Sequence, residues 1–497
     1  MYGTRPTRPV QQAPVSTRPV RWAARPLPWL TAVALLFAAA QLAFVVPGSG
    51  LSWDETVYVS QVGGNAPAAY FSAPRARGIS YLVAPVAALT TSTTAVRTYL
   101  ALLSAAALFG ALRIWRTVLP TPVLAGAGAL FAALWPTLFY GPAAMPNLWC
   151  ALGSLAATGW TVRTLRGASR PAETTGAASA VALVALMRPA DGFWLALPLM
   201  LAAVLVPGRR RPGLGAALAG GLVVGCAPWT AEAYAHYGGL VARLHRAAEI
   251  QGGLGWNFAV DDHLRALAGR TLCRPCDIGW ESPATAVWWV ALPLLTTGGI
   301  VTARRAGRGP VALLATATGV STAVPYLFLV EYAAPRFLLP AYALLAVPVA
   351  EYLTHLFARR RAGTVVPALL LAAHLGVQFS ALSHVIRTSH ATGARFAAVA
   401  GALNGMGVRA PCVVSGDDAV PIAYYAGCAS RQTGGHDASI TPEALRDLAR
   451  HVPVAVLVTG GGAAPPVTRG SHVVPLPKGR AHLLPGPAVD RARGGPL

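Results

Sequence analysis

Trp53-Asp54-Glu55-Thr56-Val57-Tyr58 sets two carboxylates side by side among aromatic residues, directly after a long apolar block. Such a pair at membrane depth suits a proton acceptor facing a substrate carried by a lipid. The same residues suit a plain helix start, because Asp54 and Glu55 complement the positive end of a helix dipole. Arg75 and Arg77 follow in Ser72-Ala73-Pro74-Arg75-Ala76-Arg77-Gly78. Guanidinium groups at headgroup depth can grip a phosphate through paired hydrogen bonds, or simply snorkel to lipid headgroups. Arg188 in Met187-Arg188-Pro189-Ala190-Asp191 and Arg336 in Glu331-Tyr332-Ala333-Ala334-Pro335-Arg336 each border apolar blocks and need an anion. That anion is either a neighbour, Asp191 or Glu331, or a ligand phosphate. Glu232 and His236 share a helix face at i, i+4 spacing, and Glu249 follows, but two ligands do not define a metal site and a solvated loop face explains them. Gly460 to Gly462 follow a strand without the order of a nucleotide-binding turn, so no nucleotide is assigned to them.

The elements that must position these residues belong to a membrane. The 497 residues carry a net charge of +22, yet only 12% are charged and 54% are hydrophobic, with mean hydropathy +0.50. A basic nucleic-acid binder is excluded, because the apolar residues come in blocks of spanning length. Arginines cluster at 113/116, 163/166/170, 209–211, 304/305/308 and 359–361, after every second block, which makes those loops cytoplasmic. Spans are expected near 29–47, 96–117, 121–140, 148–165, 174–187, 192–207, 213–231, 284–303, 310–330, 336–357 and 363–386. The apolar segment 78–91 is too short to span and reads as an interfacial helix.

The expected chain is therefore a polytopic α-helical membrane protein with about 11 transmembrane helices and a small C-terminal extracytoplasmic α/β domain. Residues 1–28 form a basic, disordered cytoplasmic tail, 29–387 the transmembrane domain with outer loops 48–95 and 232–283, 388–480 the α/β domain, and 481–497 a disordered tail. Val413-Val414 and residues 454–458 read as buried strands, and Thr441 to Arg450 as a capped amphipathic helix. Cys273/Cys276 and Cys412/Cys428 fall outside the membrane in two close pairs, each expected as a disulfide, whereas Cys150 and Cys226 fall within spans.

In order and topology these motifs resemble the GT-C superfamily of polyprenyl-phosphate-sugar-dependent glycosyltransferases, in the branch of protein mannosyltransferases and lipid A aminoarabinose transferases. Trp53-Asp54-Glu55-Thr56 with Tyr58 matches the acidic motif of the first loop, and Pro74-Arg75 the next motif, before Arg97. Arg188 falls where the family carries a basic residue, Pro228-Trp229 ends the seventh span, and Pro335-Arg336-Phe337-Leu338-Leu339-Pro340 opens a late one.

The resemblance implies an inverting transfer of a sugar from a polyprenyl-phosphate donor to a lipid, glycan or protein acceptor outside the cytoplasm, with no sugar nucleotide. It implies Asp54 as general base, with Glu55 beside it, and Arg75, Arg188 and Arg336 around the donor phosphate. One position departs from the family: Asn147, in Ala144-Met145-Pro146-Asn147, stands where relatives usually carry a second acidic residue. Glu249 lies about where relatives place a metal-binding or polar residue, so a divalent metal stays an open requirement and no other cofactor is expected. A transporter or flippase of a lipid-linked glycan, and a catalytically silent relative that binds a polyprenyl lipid, are the alternatives. The Arg-rich, Lys-poor, Ala-rich composition points to a GC-rich bacterial genome, for which decaprenyl or undecaprenyl carriers are natural donors.

Overall fold

A chain in hydrocarbon must satisfy its own backbone N–H and C=O groups, so apolar blocks of this length fold as helices. The computed structural model describes residues 26–167, 170–206, 210–253, 255–277, 279–358 and 365–486. Most of the expected basic tail, Arg209, Arg359 to Arg361 and the last residues of the expected C-terminal tail lie outside them.

The helices in chain order are α1 (Pro26–Ala40), α2 (Trp53–Ser60), α3 (Gly78–Ala87), α4 (Thr93–Ile114), α5 (Thr121–Ala132) and α6 (Trp135–Tyr140). They continue with α7 (Pro146–Leu165), α8 (Pro171–Met187), α9 (Pro189–Leu205), α10 (Pro212–His236), α11 (Leu240–Ile250) and α12 (Val260–Ala266). Four more complete the membrane part: α13 (Val287–Arg305), α14 (Gly309–Phe328), α15 (Leu339–Ala358) and α16 (Val365–Gly405). Proline opens α7, α8, α9 and α10, where its missing N–H costs no hydrogen bond and its fixed φ already suits a helix.

Every expected span coincides with helix, and among the described residues seven helical stretches are long and apolar enough to cross a membrane. The chain is a multi-pass membrane protein. The expected span 121–140 is instead two helices, broken at Leu134, whose extended backbone precedes the Trp135-Pro136 start of α6. Segment 78–91 forms the ten-residue α3. Helix α15 lies at the centre of the bundle, with every residue from Leu339 to Glu351 buried. Helix α10 comes close to α8 through Gly221 and Gly225, where a Cβ would collide with the carbonyl oxygens of Ala178 and Ala182.

The C-terminal part is a five-stranded sheet of β1 (Val413–Gly416), β2 (Ala429–Ser430), β3 (Val454–Thr459), β4 (His472–Leu476) and β5 (Gly479–Leu483). Its order is β2-β1-β3-β5-β4, parallel across the first three strands and antiparallel across the last three. Helix α17 (Ala419–Ala426) follows β1, and α18 (Pro442–Ala449) is capped by the Thr441 side chain as expected. Two expected boundaries are corrected. Helix α16 runs 41 residues straight through position 388, and the strand β5 straddles 480, so the ordered sheet reaches into the expected tail. Strand β4 contains Pro475, which its place at the edge of the sheet tolerates. Both expected disulfides, Cys273–Cys276 and Cys412–Cys428, are present.

Gly225→Val forces the α8–α10 contact apart and should lower stability by about 1–3 kcal/mol, as overpacking does. Thermal unfolding of the detergent-purified protein measures this, and an unshifted transition would contradict the close approach.

Candidate active site

Helix α2 carries the acidic motif, and its first turn decides which carboxylate faces where. The Glu55 side chain accepts a hydrogen bond from the backbone N–H of Ser52 (2.9 Å), completing a capping box at the helix start. Glu55 also pairs with Arg97 at 2.9 Å and accepts from the Ala144 backbone N–H at 2.8 Å. It is 3% exposed, with both oxygens engaged, so its expected catalytic role is corrected: Glu55 is the bolt that fastens α2 to α4 and to the chain before α7. One residue earlier, and about 100° round the helix, Asp54 looks into a cavity instead.

That cavity measures about 300 Å³ and is lined by Asp54, Tyr58, Arg75, Asn147, Arg188 and Arg336, six of the expected site residues drawn from distant parts of the chain. Asp54 bridges two guanidiniums, Arg75 Nη2 at 2.7 Å and Arg336 Nη2 at 3.1 Å. Arg336 pairs here rather than with Glu331, and donates its other arm to the Thr271 carbonyl (2.7 Å). Arg75 lies over the rings of Tyr58 and Trp53, with 5.1 and 5.5 Å to the centroids. Arg188 lies against the stacked rings of Tyr326 and Phe337, and its distance to Asp191 is 3.7 Å, a loose pair that leaves the guanidinium able to take a second anion. Burial alone would raise the Asp54 pKa, but Arg75 and then Arg336 outweigh it and hold the carboxyl below the usual carboxylate range. Burial pushes the Tyr58 phenol up.

Sequence reasoning missed Arg274, inside the Cys273–Cys276 loop, and His436 and Asp437 of the C-terminal domain, all of which line the cavity, as do the phenols of Tyr70 and Tyr332. A second cavity, of about 530 Å³, lies on the other side of Asp54 and Arg336 and is bordered by Glu55, Arg97, Tyr140 and His384.

Over most of its length the chain superimposes on solved membrane enzymes. No protein-family model matches it and no curated protein matches it in sequence. It is similar to ArnT from Cupriavidus metallidurans bound to undecaprenyl phosphate, with TM-score 0.65 and 14% identity over 91% of this chain and 97% of that one. The apo state of the same protein gives TM-score 0.62 at 13% identity, covering 91% and 96%. The oligosaccharyltransferase AglB from Archaeoglobus fulgidus, in complex with an inhibitory peptide and a dolichol-phosphate, gives TM-score 0.52 at 14% identity, covering 86% and 69%.

The fold is the one these solved membrane enzymes share.

Within this fold, Asn147 occupies the first turn of α7 and is 1% exposed. Both polar atoms of its amide lack a hydrogen-bond partner among the described residues, although the residue lines the cavity. An amide left alone in such a position costs about 1–3 kcal/mol. Glu249 is not there. It is exposed and pairs with Arg246 at 2.9 Å, so the expectation that it compensates for Asn147 inside the site is corrected. Among the described residues no three His, Cys, Asp or Glu side chains group to hold a metal ion. Four guanidiniums line the cavity against two carboxylates, Asp54, already doubly paired, and Asp437, a surplus of positive charge that suits an anion better than a divalent cation.

Two outcomes follow from this packing. Glu55→Gln should cost about 3–5 kcal/mol, because Arg97 is left buried and unpaired; unchanged denaturation of the variant would refute the bolt. Asn147→Leu should be no less stable than the native protein in the ligand-free state, while weakening any phosphate or sugar ligand. Paired thermal melts with and without undecaprenyl phosphate separate the two effects, and a large loss of ligand-free stability would show that the amide serves the fold.

Proposed function

We propose that the protein is an inverting glycosyltransferase that takes a sugar from a polyprenyl-phosphate donor and places it on an acceptor hydroxyl or amine. The observation that carries this reading is the convergence of four guanidiniums, those of Arg75, Arg188, Arg274 and Arg336, on one cavity holding two carboxylates, Asp54 and Asp437. Excess positive charge in a part-buried site is stabilised by a bound anion, and a phosphate matches the forked geometry of arginine. The likeness to ArnT bound to undecaprenyl phosphate and to AglB with a dolichol-phosphate supports a lipid-borne phosphate as that anion.

The orientation follows from where charge collects. Helix α7 starts at the cavity, with Asn147 in its first turn, and α4 starts beside the neighbouring cavity that Arg97 borders; they carry Arg163 and Arg113 in their last turns. Helix α9 starts at Arg188 and runs toward Arg210 and Arg211. Arginines thus gather at the end away from the cavity, and the positive-inside rule puts that end in the cytoplasm and the cavity outside.

As the sugar leaves, negative charge builds on the phosphate oxygen that was bonded to the anomeric carbon. Arg75, Arg188 and Arg336 stabilise that charge more than they stabilise the intact donor, which lowers the barrier. The Asn147 amide donates to a phosphate or sugar oxygen. Asp54 holds two of the guanidiniums in place and accepts a hydrogen bond from the incoming acceptor; with both oxygens in ion pairs it is a weak proton acceptor and acts by orienting.

Purified protein incubated with a labelled polyprenyl-phosphate sugar and membrane extract should transfer the label. Arg188→Ala should lose about 100- to 1,000-fold in rate, the scale of one charge-stabilising donor, and Asp54→Asn should lose a comparable factor. Movement of the donor across liposomes with no transfer of the sugar would mark a flippase, and native rates in both variants would discard the site.

A further inference from the structure

The C-terminal sheet domain is not an appendage but one wall of the cavity. Helix α17 packs on α2, with Val420 against Val57 and Ala69 in a small apolar cluster. The Tyr425 hydroxyl accepts from the Leu51 backbone N–H at 2.6 Å, and Asn65 Nδ2 donates to the Tyr424 carbonyl at 2.6 Å. From this docked domain the loop after β2 reaches over the cavity.

The base of the loop is pinned. Gln432 exchanges two hydrogen bonds with the Gly416 backbone (3.1 and 3.0 Å), and Ser439 returns to Gln432 through its own backbone N–H (2.9 Å) and side-chain oxygen (3.1 Å). Its tip is held from the other side, where Arg246 of α11 donates to the His436 carbonyl at 3.2 Å and is itself paired with Glu249. Glu249 therefore supports the site from outside, through an arginine that fixes the loop.

At the tip sits Asp437, lining the cavity. Its Oδ1 is shielded from solvent and has no hydrogen-bond partner among the described residues. No guanidinium among the described residues forms an ion pair with it, in contrast to Asp54 on the same cavity.

We infer that Asp437 is the general base of the site, taking the proton of the acceptor as it attacks. The inference rests on the glycosyl-transfer reading and deepens it. In the step, the lone pair of the acceptor oxygen or nitrogen forms the bond to the anomeric carbon, and the bond from that carbon to the phosphate oxygen breaks. Its electron pair leaves with the polyprenyl phosphate among the arginines. The acceptor's proton passes to an Asp437 oxygen, and then to water.

The surroundings suit that task. Burial raises the Asp437 pKa to about 6, with Arg75 and then Arg431 pulling the other way. The groups around it are Arg431 and His436 on its own loop, Arg75 on the segment before α3, Arg246 and Glu249 of α11 behind the loop, and Asp54, Tyr58 and Arg188 across the cavity. A base poised near the working pH is both ionised and willing to accept a proton, which Asp54, held low by two arginines, is not.

The test is turnover of a labelled polyprenyl-phosphate sugar as a function of pH by the native protein, Asp437→Asn and Asp437→Glu, with undecaprenyl phosphate binding measured in parallel. The native rate should climb with pH through about 6. Asp437→Asn should lose that climb and about 100-fold in rate, while binding undecaprenyl phosphate within about twofold of native, and Asp437→Glu should restore part of the rate. Native turnover and an unchanged pH profile in Asp437→Asn would overturn the assignment and leave the glycosyltransferase standing. Loss of undecaprenyl phosphate binding in Asp437→Asn would overturn it too, by making the residue part of the donor site. A native protein that binds the lipid phosphate but transfers no sugar would overturn both readings.

Discussion

Uncompensated positive charge near a membrane is expensive, and the site is organised around that constraint. Three arginines from three separate parts of the chain, Arg75, Arg188 and Arg336, meet with Asp54 bridging two of them. A carboxylate so placed must not drift. Its helix is accordingly capped by Ser52 and Glu55, fastened to α4 through Arg97, and covered by the apolar contact of Val57 with Val420. The ion pairs of the neighbour set the freedom of the site residue, so the two halves of one Asp-Glu dipeptide divide structure and chemistry between them.

Much of this was legible in the sequence. Apolar blocks gave helices because hydrocarbon allows little else, and the arginine clusters marked one end of the bundle. Asp54, Tyr58, Arg75, Arg188 and Arg336 were singled out by type and by nearness to apolar blocks, Asn147 by the family resemblance alone, and they share a cavity. What escaped depends on angles and long-range contacts. Glu55 and Asp54 are equivalent on paper, and only the capping geometry turns one inward and the other toward the cavity. Glu249 sits one residue before Ile250, which lines the site, yet its own side chain points to solvent. Asp437 lies among Gly434, Gly435 and His436 with no periodic pattern around it, and nothing local says that this loop arches over residues almost four hundred positions earlier.

The departure at Asn147 acquires a physical meaning in this setting. An acidic side chain there would add a third negative group to a cavity that already holds Asp54 and Asp437. The neutral amide avoids that repulsion and brings N–H donors. Asp54 complements the arginines, and the second carboxylate of the cavity arrives from the C-terminal domain.

Helix α16 bears on how a large acceptor could enter. At 41 residues it is about 60 Å long, roughly twice the thickness of a bilayer's hydrocarbon interior. It therefore acts as a mast, rooted among the lipids and carrying the sheet at its top, with Phe396, Val399 and Leu403 embedded in that sheet's core. A mast resists hinging. Traffic into the cavity is thus left to side doors, the loops beside the sheet, rather than to a swing of the entire headpiece.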